Sequence, residues 1–146
     1  MKPAYFIFSI IIFSMFTNCR SHKDLQEEAP AQFQQAYYVS DKGQMTFFLP
    51  VIAIQNNRVE LKNIYFKGLK SPIVKDENVQ NRYTAIFNVK QSDFVMSSDP
   101  KEEYGNKMPQ RPVESPIKIE KNQALLEYQE DKEIKYYLLD NIEERK

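Results

Sequence analysis

Beyond residue 36 the chain alternates apolar and polar residues over short stretches, the period-2 signature of half-buried strands. Met45 to Ile54 is a strongly apolar run interrupted by Pro50, which implies a bulge, an edge position or two shorter strands. Asn56-Asn57 follows, a pair that tolerates the positive φ of a tight turn, and Arg58 to Lys62 resumes the alternation. The spacing predicts a hairpin there. Val59 and Leu61 share one parity while Ile64 and Phe66 share the other, so a bulge near Lys62-Asn63 is needed to turn both pairs to one core. Tyr83, Ala85, Phe87 and Val89 alternate with Thr84, Asn88 and Lys90 and predict a strand. Ile117 to Ile119 is expected to begin another. Ala124 to Gln129 and Glu133 to Leu139 should pair as a hairpin across Glu130-Asp131-Lys132. Six to eight short strands with turn signals between them predict an all-β domain over residues 36–142, a small antiparallel sandwich or barrel that the pattern does not separate. Residues 143–146 are charged and are expected to fray.

The first residues follow another rule. Lys2 precedes a nearly unbroken apolar stretch from Ala4 to Phe16, the length of a signal-peptide core and short of the ~20 residues of a membrane-spanning helix. Phe16-Thr17-Asn18-Cys19 closes it, and Arg20 to Asp24 turns polar. This closing tetrad resembles a lipobox, with Phe16 where Leu is usual and Asn18 where a small residue is usual. Looser boxes of this form resemble those of the Bacteroidetes. The resemblance implies that residues 1–18 are a cleaved signal helix and that Cys19 is acylated, as by palmitate, and anchors the chain to a membrane. Residues 19–35 are polar, carry Pro30 and lack sustained periodicity, so they read as a flexible tether.

Composition narrows the function classes. The twenty basic residues balance twenty acidic ones, and a chain of zero net charge has no long-range field to hold DNA or RNA. Cys19 is the only cysteine, so no internal disulfide forms, and acylation would remove its thiol from chemistry. His22 is the only histidine and falls in the tether. Without a histidine or a free thiol in the domain the usual bases and nucleophiles are missing, and the chain reads as non-enzymatic, with no cofactor and no metal set.

Three segments, Asn63 to Gly68, Arg82 to Phe87 and above all Ser98-Asp-Pro-Lys-Glu-Glu-Tyr-Gly-Asn106, resemble a group of small flavobacterial-type Bacteroidetes lipoproteins. That resemblance implies an envelope location, lipid-anchored and in the outer membrane, and carries no activity with it. The last of these segments lies in a proline-rich stretch, Ser97 to Ser115, for which no regular structure is expected. Asp99, Lys101, Glu102, Glu103, Tyr104 and Asn106 there form a candidate partner-contact loop. Calcium is the metal its carboxylates would suit, but their spacing matches no calcium loop and Lys101 sits among them. Two functions follow as expectations: an interaction module docking to an envelope protein, or a small barrel carrying a lipid or other apolar ligand, its lumen lined by Phe47 to Ile54.

Overall fold

The computed structural model of the chain describes residues 24–54, 57–89 and 110–146. Among these residues there are eleven strands and no helix: β1 (Leu25–Gln26), β2 (Gln32–Phe33), β3 (Tyr37–Asp41), β4 (Gln44–Ala53), β5 (Val59–Phe66), β6 (Leu69–Pro72), β7 (Val74–Lys75), β8 (Arg82–Asn88), β9 (Ala124–Glu130), β10 (Glu133–Leu139) and β11 (Glu143–Glu144). One sheet has the order β1-β10-β9-β5-β6. The other runs β11-β3-β4-β8-β7, with β2 also paired to β4. The two face each other over a common core, so the all-β domain is a β-sandwich.

The core follows from the alternation. Phe47, Leu49 and Val51 of β4 point inward with Ala85 and Phe87 of β8, and meet Leu61, Ile64 and Phe66 of β5 and Leu126 and Tyr128 of β9. Phe66 is the hub of the rings: its centroid lies 5.5 Å from Phe47, 5.2 Å from Tyr38 and 6.5 Å from Phe87. The register of β5 against β9 shifts between Leu61 and Asn63, the bulge that the parity change demanded, and both halves of the strand reach the core.

Three hairpins close on two-residue turns with positive φ at both positions: Lys42-Gly43 (42° and 79°), Lys67-Gly68 (49° and 75°) and Asp131-Lys132 (49° and 72°). Turns of this handedness match the right-handed twist of the flanking strands. The β9–β10 hairpin lies where the alternation put it, while the β3–β4 hairpin carried only the short signal Lys42-Gly43.

Pro50 does not break β4. Val51 N–H donates to Asn81 O on the β8 side at 2.7 Å, and Pro50 O accepts from Gln34 N at 3.0 Å on the other side. The imide nitrogen therefore faces the junction where β3 leaves β4 and β2 takes over, and no ladder bond is lost.

Several expectations are corrected. Residues 45–62 do not form a hairpin: β4 and β5 belong to opposite sheets, and the chain between them crosses from one to the other. Ile117 to Ile119 form no strand. The expected tether is folded from Leu25 onward. β1 pairs with β10, β2 pairs with β4, Ala31 is buried, and Phe33 packs on Tyr137 across the sandwich at 6.0 Å. The expected frayed end is also tied down: β11 pairs with β3, Arg145 N–H donates to Tyr38 O at 2.8 Å, and Ile142 is buried. Both terminal strands join their sheets in parallel, which makes each sheet mixed at one edge while the other ladders are antiparallel. The two termini thus cover the edges of β10 and β3, and the bend at Ile73 carries β6 of one sheet into β7 of the other.

The C-terminal strand is a test of that edge. Glu144 accepts from Tyr38 OH at 3.3 Å, and the Arg145 guanidinium stacks 3.9 Å from the Tyr37 ring centre. Ending the chain at Ile142 removes these contacts and the ladder to β3. We expect a loss of about 1–2 kcal/mol, from one or two net hydrogen bonds and an exposed cation–π contact, read as a lower urea midpoint.

Candidate functional site

The outer face of the first sheet carries the one buried carboxylate among the described residues that is held by several strands at once. Tyr136 of β10, Glu127 of β9 and Asn63 of β5 stand in one cross-strand row, and Leu138, Leu125, Tyr65 and Lys70 form the next. Because Leu126 and Tyr128 turn into the core, Glu127 must point the other way. It is nevertheless only 8% exposed. Its Oε1 accepts from Asn63 Nδ2 at 2.6 Å; its Oε2 accepts from Tyr65 OH at 2.8 Å and from Lys70 Nζ at 3.2 Å. Lys70 also lies 4.9 Å from the Tyr65 ring centre.

Burial pushes the pKa of Glu127 up, but the Asn63, Tyr65 and Lys70 donors outweigh it and leave the carboxyl below its ordinary value. Burial raises the Tyr65 hydroxyl, and bonding to Tyr65 and Glu127 raises the Lys70 ammonium. Burial likewise raises Tyr136. Every shift moves its group's titration further from pH 7, so around pH 7 the cluster is a fixed carboxylate, ammonium and neutral phenols. Such a set holds three strands together and presents a fixed charge pattern; it does not poise a proton for transfer.

A groove of about 670 Å³ adjoins the cluster, walled by Tyr65 and Gly68 on one side and by Pro112 to Ser115, Lys118 and Ile119 on the other. A smaller one of about 360 Å³ continues past Gly68 to Ile119, Glu120 and Lys121. Val113 N–H donates to Gly68 O at 2.8 Å and pins this irregular stretch to the β5–β6 turn. The volume between the sheets, by contrast, is filled: Phe47, Leu49, Ile64, Phe66 and Phe87 are fully buried.

Cys19 and the loop residues Asp99, Lys101, Glu102, Glu103, Tyr104 and Asn106 lie outside the described residues, so the structure neither joins them nor separates them. Their flanks are described. Val89 N–H donates to Gly43 O at 2.8 Å and Gln110 N–H donates to Asn88 O at 3.0 Å, so the chain leaves β8 and returns to it at one place. The Glu127 cluster escaped sequence reasoning because Asn63, Tyr65, Lys70 and Glu127 are polar positions in alternating strands, which read as solvent-facing. Only the phase of β9, Leu126 and Tyr128 inward with Leu125 and Glu127 outward, hinted that an apolar and a charged side chain share the outer face. Among the described residues no group of three acidic, histidine or cysteine side chains converges to hold a metal ion. Comparison of the chain with protein-family models, curated proteins and solved structures finds no match.

Proposed function

We propose that this is a lipid-anchored lipoprotein of the bacterial envelope whose β-sandwich is a non-catalytic interaction module. The observation that carries the reading is the leader: a basic start, an apolar stretch of signal-peptide length, and a cysteine at its close followed at once by polar residues. The arrangement of the domain supports it. β1 runs parallel to β10, so the chain comes in from the end of the sandwich that bears the Asp131-Lys132 turn, here the base. The flanks of the candidate contact loop, Val89 and Gln110, lie beside Gly43 and Asn88 at the other end, the top. A chain that enters at one end and the flanks of the candidate contact segment at the other suit a module that presents that segment to an envelope partner.

The carrier reading has less behind it. Phe47, Leu49 and Val51 of the run expected to line a lumen are packed into the core, and among the described residues the open volume is in the outer grooves.

Two linked measurements test the proposal. Fatty-acid labelling should mark the protein and vanish in Cys19→Ala, with the variant leaving the membrane fraction. Labelling that persists in Cys19→Ala sinks the anchor. Tagged, acylated protein drawn from its own membranes in mild detergent should bring down one protein in stoichiometric amount, lost when Asp99 to Asn106 is scrambled. Recovery of lipid alone removes the interaction module.

A further inference from the structure

We infer that the base of the sandwich rests on the lipid surface itself, a zwitterionic bilayer face, with Ile52, Val79 and Ile134 as its apolar contacts; this rests on the anchor proposed above. Only Arg20 to Asp24 separate Cys19 from β1, since the strand begins at Leu25. Five residues span at most about 18 Å even when fully extended. The tether expected over residues 19–35 is therefore cut to the few residues before β1, and an acyl chain on Cys19 draws the domain down against the headgroups.

Direction follows from strand order. Asp24 O accepts from Tyr136 N–H at 2.8 Å, and a strand parallel to β10 at that level receives its chain from the side of Glu133 and the Asp131-Lys132 turn. The same end of the molecule holds the close of β4 and the start of β5, because Val59 pairs with Glu130 and Arg58 bonds Asp131 at 3.1 Å. It also holds the start of β8, because Pro50 pairs with Arg82, and with it the loop before β8. Three of the large apolar side chains left exposed on the domain lie there: Ile52 at the end of β4 (56% exposed), Ile134 at the start of β10 (44%) and Val79 in the loop before β8 (40%). They rim the base from both sheets rather than forming one patch on a single face. That distribution suits a surface met end-on more than a protein partner docked on one side.

Charge selects the kind of surface. Around the turns at this end the exposed charges balance: Glu77, Asp131 and Glu133 against Arg58, Lys75 and Lys132. A balanced end lacks the basic cluster that anionic headgroups attract, and it suits a zwitterionic surface that carries no net charge itself.

The test uses the full chain, acylated in the cell, purified in detergent and reconstituted into phosphatidylcholine vesicles. Acylation caps Cys19, so a single new cysteine takes a fluorescent label. Val79→Cys and Ile134→Cys report on the base; Lys42→Cys and Lys121→Cys report on the top. All four positions are exposed, and two at each end guard against one variant misfolding. A nitroxide on the lipid headgroup should quench the two base labels several-fold more than the two top labels, since the seven residues of β10 alone set the ends about 23 Å apart. Equal quenching at the two ends, or stronger quenching at the top, overturns the inference while leaving the anchor intact. Mass spectrometry of the same sample that finds no acyl chain on Cys19 overturns the anchor, and the inference with it.

Discussion

Replacing Phe66 with alanine should cost about 3–5 kcal/mol, the range for removing a fully buried aromatic ring. Phe66 is 0% exposed and reaches from β5 into three aromatic rings of the opposite sheet, Tyr38, Phe47 and Phe87, so its loss opens a void that neither sheet can fill by moving alone. The neighbours that would have to collapse into the space are fixed by ladders: Ile64 and Phe66 pair with Leu126 and Ala124, and Phe47 pairs with Tyr38 and Ala85. Domains of this size hold about 5–15 kcal/mol in total, so the variant should be left near the edge of folding. Urea unfolding followed by far-UV circular dichroism is the measurement. A midpoint lowered by half or more with an unchanged slope is expected. A cost under about 1 kcal/mol would mean that Phe66 is not the hub joining the two sheets.

The second large effect belongs to Glu127. Substitution by alanine strands three donors at a half-dry sheet face, and the cost of unsatisfied buried partners exceeds the net worth of the bonds lost. We expect about 2–3 kcal/mol at pH 7. That is below the 3–5 kcal/mol of a fully buried pair, because the Lys70 side chain is 34% exposed and keeps part of its hydration. Glutamine should recover part of the loss, since its carbonyl can still accept from Tyr65 or Lys70.

The pH dependence separates charge from packing. The Glu127 carboxyl is lowered in the folded protein, so the stability it contributes is complete above the ordinary glutamate value of 4.5 and is lost as pH falls through the folded value. The gap between the native protein and Glu127→Gln should therefore shrink from pH 7 to pH 3. Tyr65 and Lys70 are raised, so their share holds below their ordinary values of 10.0 and 10.5 and declines as pH climbs past them. A gap of constant size between pH 7 and pH 3 would show that packing, not the ionised carboxylate, ties β5, β6 and β9 together.

Local signals suffice where one strand or one turn contains the whole pattern. The bulge at Leu61–Asn63 was legible because a parity change has only one cure in a strand with a single core face. The β9–β10 hairpin was legible because its turn and both alternations are contiguous. The link between β4 and β5 differs from the expected hairpin for the opposite reason. A turn signal at Asn56-Asn57 says that the chain reverses, and a reversal within one sheet looks the same in sequence as a crossing to the other. The candidate loop residues and Cys19 rest on sequence alone, while the Glu127 cluster was visible only once β5, β6 and β9 lay side by side.

By itself the sequence determined most of the longer strand-forming segments, the inward set Leu61, Ile64, Phe66, Ala85 and Phe87, and the all-β class, because alternation at period 2 assigns each side chain a face without reference to any partner. Tertiary structure alone decided how the strands beyond the β9–β10 hairpin divide between two sheets, that the short β1, β2 and β11 pair on exposed strand edges, and that Glu127 is a buried bond centre. The reason is physical. A two-residue strand has no periodicity and exists only because an unpaired edge of β10, β4 or β3 accepts its hydrogen bonds, and a carboxylate can stay buried only where distant segments bring it donors.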